Sequence, residues 1–347
     1  MLGLVKNSTQ PTPSGIIGNA GVNVMKQKIA VAALVLAAAL AGASLSRAQT
    51  FPSEPITLIV AWPPGGGSDI SMRLLADTLS KQIKVPVVVL NKPGAGGAIG
   101  HREIANAKPD GYTIGMFSSG GIALPYLNAQ ANTFDELAPI AFFGEDPNAL
   151  EASIASGIGS LKEYVERARA NPGRIKNGND QPGGSSYLAV ALYEKRLGIK
   201  VTRVSYAGFG PTVIGLMAGE VDSATVPVPD TIEQHKAGKL KILGVSATER
   251  HFMAPDIPTF REQGFDVVVG AWRCLAGPKG IPADRKAFLE RSIIAALKDP
   301  EFQAKARQAG FVVQPGDAKA TYQRWKDDDA ELYPILLDAG LVKARQK

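Results

Sequence analysis

The sequence predicts an α/β fold of two lobes, each a mainly parallel sheet flanked by helices, with a cleft between them. Three observations predict it. Short apolar runs rich in β-branched residues alternate with amphipathic segments, the pattern of βαβ units. Around residues 145–160 the composition shifts to EDPNALEASIASGIGS, and a second series of such units begins. A late apolar stretch, FDVVVGAWRCLAG at 265–277, reads as the way back. The boundaries are then 49–148 plus 272–347 for the first lobe and 149–271 for the second.

The elements follow in order. ITLIV (56–60) is a continuous β-branched run, as a strand buried on both faces should be. After the turn WPPGGGSD (62–69) comes a helix with Ile70, Leu74, Leu75, Leu79 and Ile83 at helical spacing, and Ser68 or Asp69 is placed to cap it. VPVVVL (85–90) is a second strand, NKPGAGGAIG opens a second helix, and PDGYTIGMFSS (109–119) is a turn and a third strand. Right-handed crossovers join such strands into a parallel sheet. The second series runs through the helix LKEYVERARA, the loop NGNDQPGGSS, the helix YLAVALYEKRLG, VTRVSY, the helix GPTVIGLMAGE, VDSATV, a further helix and the strand KILGVSA. Lys286 to Lys298 and Pro300 to Ala309 add helices, and TYQRWKDDDAELYPILLDAG is a long amphipathic one. Ligands of open parallel sheets bind at the carboxyl ends of the strands, which places a cleft there.

Residues 25–50, MKQKIAVAALVLAAALAGASLSRAQT, carry the three parts of a secretory signal peptide. Lys26 and Lys28 are the basic region, Ile29 to Leu40 the apolar region, and Ser46-Arg47-Ala48 the small-residue cleavage site. Cleavage near Ala48 is expected, with Met25 the true start, residues 1–24 an upstream extension, and the mature chain in the periplasm. The run is Ala-rich and short, with no stop-transfer signal, which argues against a membrane anchor. Removing residues 1–48 takes away Lys6, Lys26, Lys28 and Arg47 and no acid, so the formal net charge falls by four, from +6 to +2. No basic stripe interleaved with aromatics remains, and nucleic-acid binding has no support. Cys274 is the one cysteine, so stability rests on a core that 347 residues at 45% hydrophobic can supply.

The loop WPPGGGSD raises the question of what approaches its backbone. A dinucleotide fingerprint requires a third glycine where Ile70 stands, and a Walker loop requires Gly-Lys-Ser/Thr where Ile70-Ser71 stands. GAGGAIG fails too, because Ile99 occupies the required position. A glycine turn leading into a helix still offers unpaired N–H groups and the positive end of the helix dipole, which suit a carboxylate. The alternative is a tight strand-to-helix turn with no ligand. A second Gly/Ser loop, QPGGSS (181–186), again precedes a helix, and two such nests suit a ligand with two anionic ends. No H-E-x-x-H, C-x-x-C or G-x-S-x-G occurs, so no catalytic residue, metal site or cofactor is expected. His101, His235 and His251 read as surface residues, and Asp327-Asp328-Asp329 as a solvated helix face. Asp69 and Asp222 follow glycine-containing segments near strand ends. Asp69 has three readings: a helix cap, a holder of the loop, or an acceptor from the ligand.

FPSEPITLIVAWPPGGGSDI, VVVLNKPGAGGAIG, KPDGYTI, SYAGFGPTVIGLMAGEVD, GVSATERHFMAPDIPTFREQGF and PKGIPAD together resemble the tripartite tricarboxylate transporter receptors, the TctC or Bug family of periplasmic solute-binding proteins. The likeness spans nearly all of the mature chain. It implies a type II-like periplasmic-binding-protein fold that closes on a small carboxylate, acts as a monomer and delivers the solute to membrane permease subunits. Carried onto this sequence, the first loop is Trp62, Pro64, Gly65, Gly66, Gly67, Ser68 and Asp69. The second-lobe loop contributes Asn179, Ser185 and Ser186, the strand-end turn Tyr206-Ala207-Gly208, the acid is Asp222, and Ser118 and Ser119 match another contact region. The chain departs from the family's pattern at Trp62 (often Phe), Tyr187 (often His) and Ser205 (Pro). These departures leave open which di- or tricarboxylate, acidic amino acid or aromatic acid is bound. Trp272 is expected to pack. Presentation of the ligand to a sensor kinase is an alternative output, and an exported enzyme on the same fold a third reading.

Overall fold

The computed structural model describes residue 28 and residues 51–347. The upstream extension and, apart from Lys28, the signal peptide lie outside the described residues.

The first half of the fold is built from β1 (Ile56–Val60), α1 (Gly67–Ile83), β2 (Val87–Asn91), α2 (Ala98–Ala105), β3 (Thr113–Ser118) and α3 (Ser119–Leu127). β1 lies between β2 and β3 and is parallel to both. Its side chains split by the period of two that a pleated strand imposes. Ile56, Leu58 and Val60 enter one core cluster, and Ile59 enters the cluster on the other face. The buried stripe of α1 is Met72, Leu75, Ala76 and Leu79; Ile70, expected to face the core, is 41% exposed. Position 70 lies in the first turn, beside the glycine loop, where there is no sheet to cover it.

β4 (Leu137–Ser153) is a 17-residue strand that the sequence pattern conceals. Pro139, Gly144 and Pro147 interrupt it, and its register shifts between Pro139 and Ala141 and between Phe142 and Gly144. Bulges of this kind let a strand bend and keep its pairing. Residues 137–147 pair with β9 (Gly270–Pro278), and residues 148–153 pair with β7 (Ser223–Pro227) and β8 (Leu240–Val245). The second half adds α4 (Leu161–Ala170), β5 (Lys176–Asn179), α5 (Ser185–Leu197), β6 (Thr202–Ser205), α6 (Phe209–Met217) and α7 (Val228–Lys236). α8 (Ala283–Leu297), α9 (Pro300–Gln308) and α10 (Ala318–Asp338) then follow β9.

The strand order is β2-β1-β3-β9-β4-β7-β5-β6, with β8 paired to β4. The flanks are parallel, as expected for βαβ units, while the centre, where β4 and β9 run, is antiparallel. Two further clusters cover the faces of the second half, one around Leu150, Tyr164 and Phe260, the other around Val226, Leu216 and Ile232.

Candidate functional site

A cavity of about 560 Å³ is lined by residues at or just beyond the carboxyl ends of β1, β3, β5, β6 and β7, and by Ala271, Trp272 and Arg273 where β9 begins. At all five of these ends the chain turns into a helix whose N-cap residue makes no side-chain bond: Gly66 before α1, Ser118 before α3, Gly184 before α5, Gly208 before α6 and Pro227 before α7. Away from the cavity α4, α9 and α10 are capped by Ser160, Asp299 and Asp317, while α2 and α8 have no side-chain cap. First-turn N–H groups have no intrahelical partner and carry the positive end of the helix dipole. Several uncapped helix starts around one cavity make it a site for anions.

The first loop is held from behind. Gly65 takes φ +85°, a left-handed conformation that glycine adopts without strain. Its N–H donates to Asp69 at 2.9 Å, and the Asp69 carboxylate also accepts from Arg73 Nε at 3.0 Å and Asn91 Nδ2 at 2.9 Å. Burial works to raise the pKa of Asp69, but the bonds from Arg73, Gly65 and Asn91 outweigh it and hold the group below its ordinary value. Of the three readings of Asp69, the structure gives the holder of the loop. Asn91 also donates to the Trp62 carbonyl at 3.0 Å, so one side chain ties both ends of the turn.

The second loop differs. The Asp180 carboxylate accepts from the Tyr187 N–H at 2.8 Å, and the Asp180 N–H donates to Ser186 Oγ at 2.9 Å. Asp180 therefore occupies part of the N-terminus of α5 that the sequence offered to a ligand. Burial pushes its pKa up to about 6, against the lowering effect of the Tyr187 and Ser186 bonds. This loop sits hard against the first half of the fold. A Cβ on Gly120 would lie 1.9 Å from the Gly183 carbonyl oxygen, so glycine there is a packing requirement at the start of α3.

Besides Asp180, two further charged residues on the lining were not among those expected from the sequence. Arg273, on β9, is 4% exposed and forms an ion pair with the fully buried Asp146 of β4. Its guanidinium lies 5.2 Å from the centre of the Phe311 ring. Asp146 also accepts from the Val312 N–H at 2.8 Å. Asp230, in the first turn of α7, is partly buried and lines the cavity. Burial pushes its pKa up to about 7; Arg273 works against that rise and Asp146 adds to it.

Of the residues expected at the site, Trp62, Pro64, Gly65, Gly66, Gly67, Ser68, Ser118, Ser119, Ser185, Ala207 and Gly208 line the cavity. Asn179, Ser186 and Tyr206 stand behind its wall. The Asn179 side chain donates to the Asn177 carbonyl, Ser186 holds Asp180, and the Tyr206 hydroxyl reaches Glu220. Asp222 requires a correction. It precedes β7, at the opposite end of that strand from the cavity, and accepts from the Lys176 N–H at 2.8 Å where β5 begins. The acids on the lining are Asp180 and Asp230. A charge inside an apolar run, such as Arg273 in AWRCLAG, is the signal that could have pointed to the ion pair, because a buried charge needs a partner.

Other expectations change with burial. His101 and His251 are buried, not surface residues, and burial holds the pKa of His101 down at about 4. Asp328 accepts from Trp272 Nε1 and from Arg324, and Asp329 from the Tyr126 hydroxyl, so two of the three consecutive acids anchor α10 instead of facing solvent. Trp272 packs as expected, against Phe117 and Phe142.

Residues 71–341 match the family described as the tripartite tricarboxylate transporter family receptor. The chain belongs to this family of receptors. Protein BugT of Bordetella pertussis is 32% identical to the receptor over 300 residues, covering 84% of this chain and 89% of BugT. The structure of the periplasmic binding protein BugD matches it with a TM-score of 0.77 at 29% identity, covering 85% of this chain and 100% of that one. MatC from Rhodopseudomonas palustris, solved with bound malate, matches with a TM-score of 0.75 at 26% identity over 82% of this chain and 100% of MatC. The two-lobed periplasmic-binding-protein fold expected from the sequence is therefore the fold of the receptor.

Proposed function

We propose that the receptor is an extracytoplasmic solute-binding protein that holds a small carboxylate in this cavity and hands it to the permease subunits of a tripartite tricarboxylate-type transporter. One observation carries the reading: uncapped N-termini of α1, α3 and α6, and the partly capped one of α5, surround a single cavity. Such a site supplies partial positive charge and N–H donors from the backbone, and it favours carboxylate over neutral solutes. The malate bound by MatC supports the same ligand class.

The remaining assignments follow from this reading. The receptor works as a monomer whose lobes meet where β4 exchanges β9 for β7 and β8, at Pro147 and Asn148. The lobes comprise 49–148 plus 272–347 and 149–271, and flexing of β4 and β9 closes the cavity. Export uses the signal peptide at 25–48.

A thermal-shift screen tests the reading. At about a hundred times its dissociation constant, a ligand adds roughly 2.7 kcal/mol of stability. At least one dicarboxylate, tricarboxylate, amino acid or aromatic acid should raise the melting temperature, and neutral sugars should not. Chemical turnover of a stabilising compound would sink the receptor reading, as would a panel in which sugars alone stabilise.

A further inference from the structure

The cavity carries negative charge as well as helix N-termini, and one of its acids has no hydrogen-bond or ion-pair partner among the described residues. Asp146 is matched by Arg273 and also holds the Val312 N–H. Asp180 is engaged at the start of α5. Asp230 is influenced by burial and by the nearby charges of Arg273 and Asp146, with no hydrogen bond among its interactions. The N-terminus of α7 and the charge of Arg273 favour its ionised form only in part, and a partly buried carboxyl group without a hydrogen-bonded partner is costly to keep charged unless a ligand supplies the counter-ion.

We infer that Asp230 sets the specificity of this receptor by pairing with a cationic nitrogen of the solute, so that the ligand is an amino-carboxylate whose carboxylate rests on the helix N-termini. The inference rests on the carboxylate-receptor reading and narrows it. A plain dicarboxylate would place its second negative group in a cavity that already holds Asp180 and Asp230, where the charge of Arg273 is taken by Asp146. An ammonium group brings three donors and a matching charge to the same place.

Calorimetric titration with paired probes tests it: L-aspartate against succinate, L-glutamate against glutarate, and L-phenylalanine against 3-phenylpropionate. The amino member of at least one pair should bind ten times more tightly or better. Asp230→Asn should erase that advantage while leaving the melting temperature of the unliganded protein unchanged or higher, since it removes a poorly solvated acid.

The pH profile gives a second readout. The charged groups around Asp230 are Arg273 of β9, Asp146 of β4 and, on the same lining, Asp180 after β5. With a pKa of about 7, Asp230 is mostly protonated at pH 6. A ligand cation binds the ionised form and expels the proton, so affinity should rise about tenfold from pH 6 to 8 in the wild type; in Asp230→Asn the rise should shrink to about twofold or less, the most that Asp180 with its pKa of about 6 can contribute. A second ligand carboxylate would favour the protonated form and reverse the slope. Tighter binding of the deaminated probes, or affinity that falls as pH rises, overturns the role given to Asp230 and leaves the carboxylate receptor standing. Failure of both members of every pair, together with a blank carboxylate thermal-shift screen, overturns both.

Discussion

Arg273→Met is expected to cost the receptor about 3–5 kcal/mol of stability, because it strips the partner from a buried carboxylate. Asp146 is fully buried, and its other bond, from the Val312 N–H, cannot neutralise it. For a chain of this size the loss corresponds to a fall in melting temperature on the order of 10 °C. Methionine retains most of the arginine's apolar stem, so lost packing against Phe311 is a minor part of the effect. The double variant Asp146→Asn, Arg273→Met removes both charges, and it should recover most of the stability lost by the single variant. Differential scanning calorimetry of the two variants checks this. A single variant that melts within a degree of wild type would show that the pair contributes nothing, and an equally unstable double variant would place the cost in packing instead of charge.

Gly66→Val should abolish ligand binding with little change in fold stability. Gly66 takes φ −82° and ψ 167°, an extended conformation that valine adopts readily. A Cβ at this position would meet one atom within 4 Å, the Pro63 carbonyl oxygen at 3.9 Å, so the protein itself has room for the side chain. Gly66 lines the cavity, and the added methyl groups would stand where a ligand must approach the N–H groups of Gly67 and Ser68. The expected result is a melting temperature within a few degrees of wild type and a loss of the ligand-induced thermal shift. Wild-type affinity in this variant would remove the first loop from the site.

Most of the βαβ flanks was legible because their inner strands β1, β3 and β5 are largely buried and most of the helices that follow keep their period. ITLIV coincides with β1, and LKEYVERARA with α4. The centre was not legible. β4 carries two prolines and a glycine that normally end a strand, and its bulges restore pairing in a way visible only in three dimensions. α3 was hidden for the same reason, by Gly120, Gly121 and an internal Pro125.

At the site, the backbone contribution could be read and the charged contribution could not. Gly65, Gly66 and Gly67 announce a close approach by their composition. Asp146 and Arg273 lie 127 residues apart, and no local pattern pairs them. Asp222 was misplaced because a strand of unknown direction gives no way to tell which of its ends faces the cleft. Once β7 is seen to run parallel to β5, the residue before it must lie away from the cavity and the residues after it toward it.

The central claim, that backbone N–H groups of the first loop and of α3 hold a carboxylate, can be tested by amide NMR. The ¹H–¹⁵N spectrum of isotope-labelled mature protein would be recorded with and without the carboxylate that gives the largest thermal shift. Downfield proton shifts are expected at Gly67, Ser68, Ser119 and Gly120, the N–H groups that receive the new acceptor. Large shifts elsewhere with these four amides unmoved would contradict it.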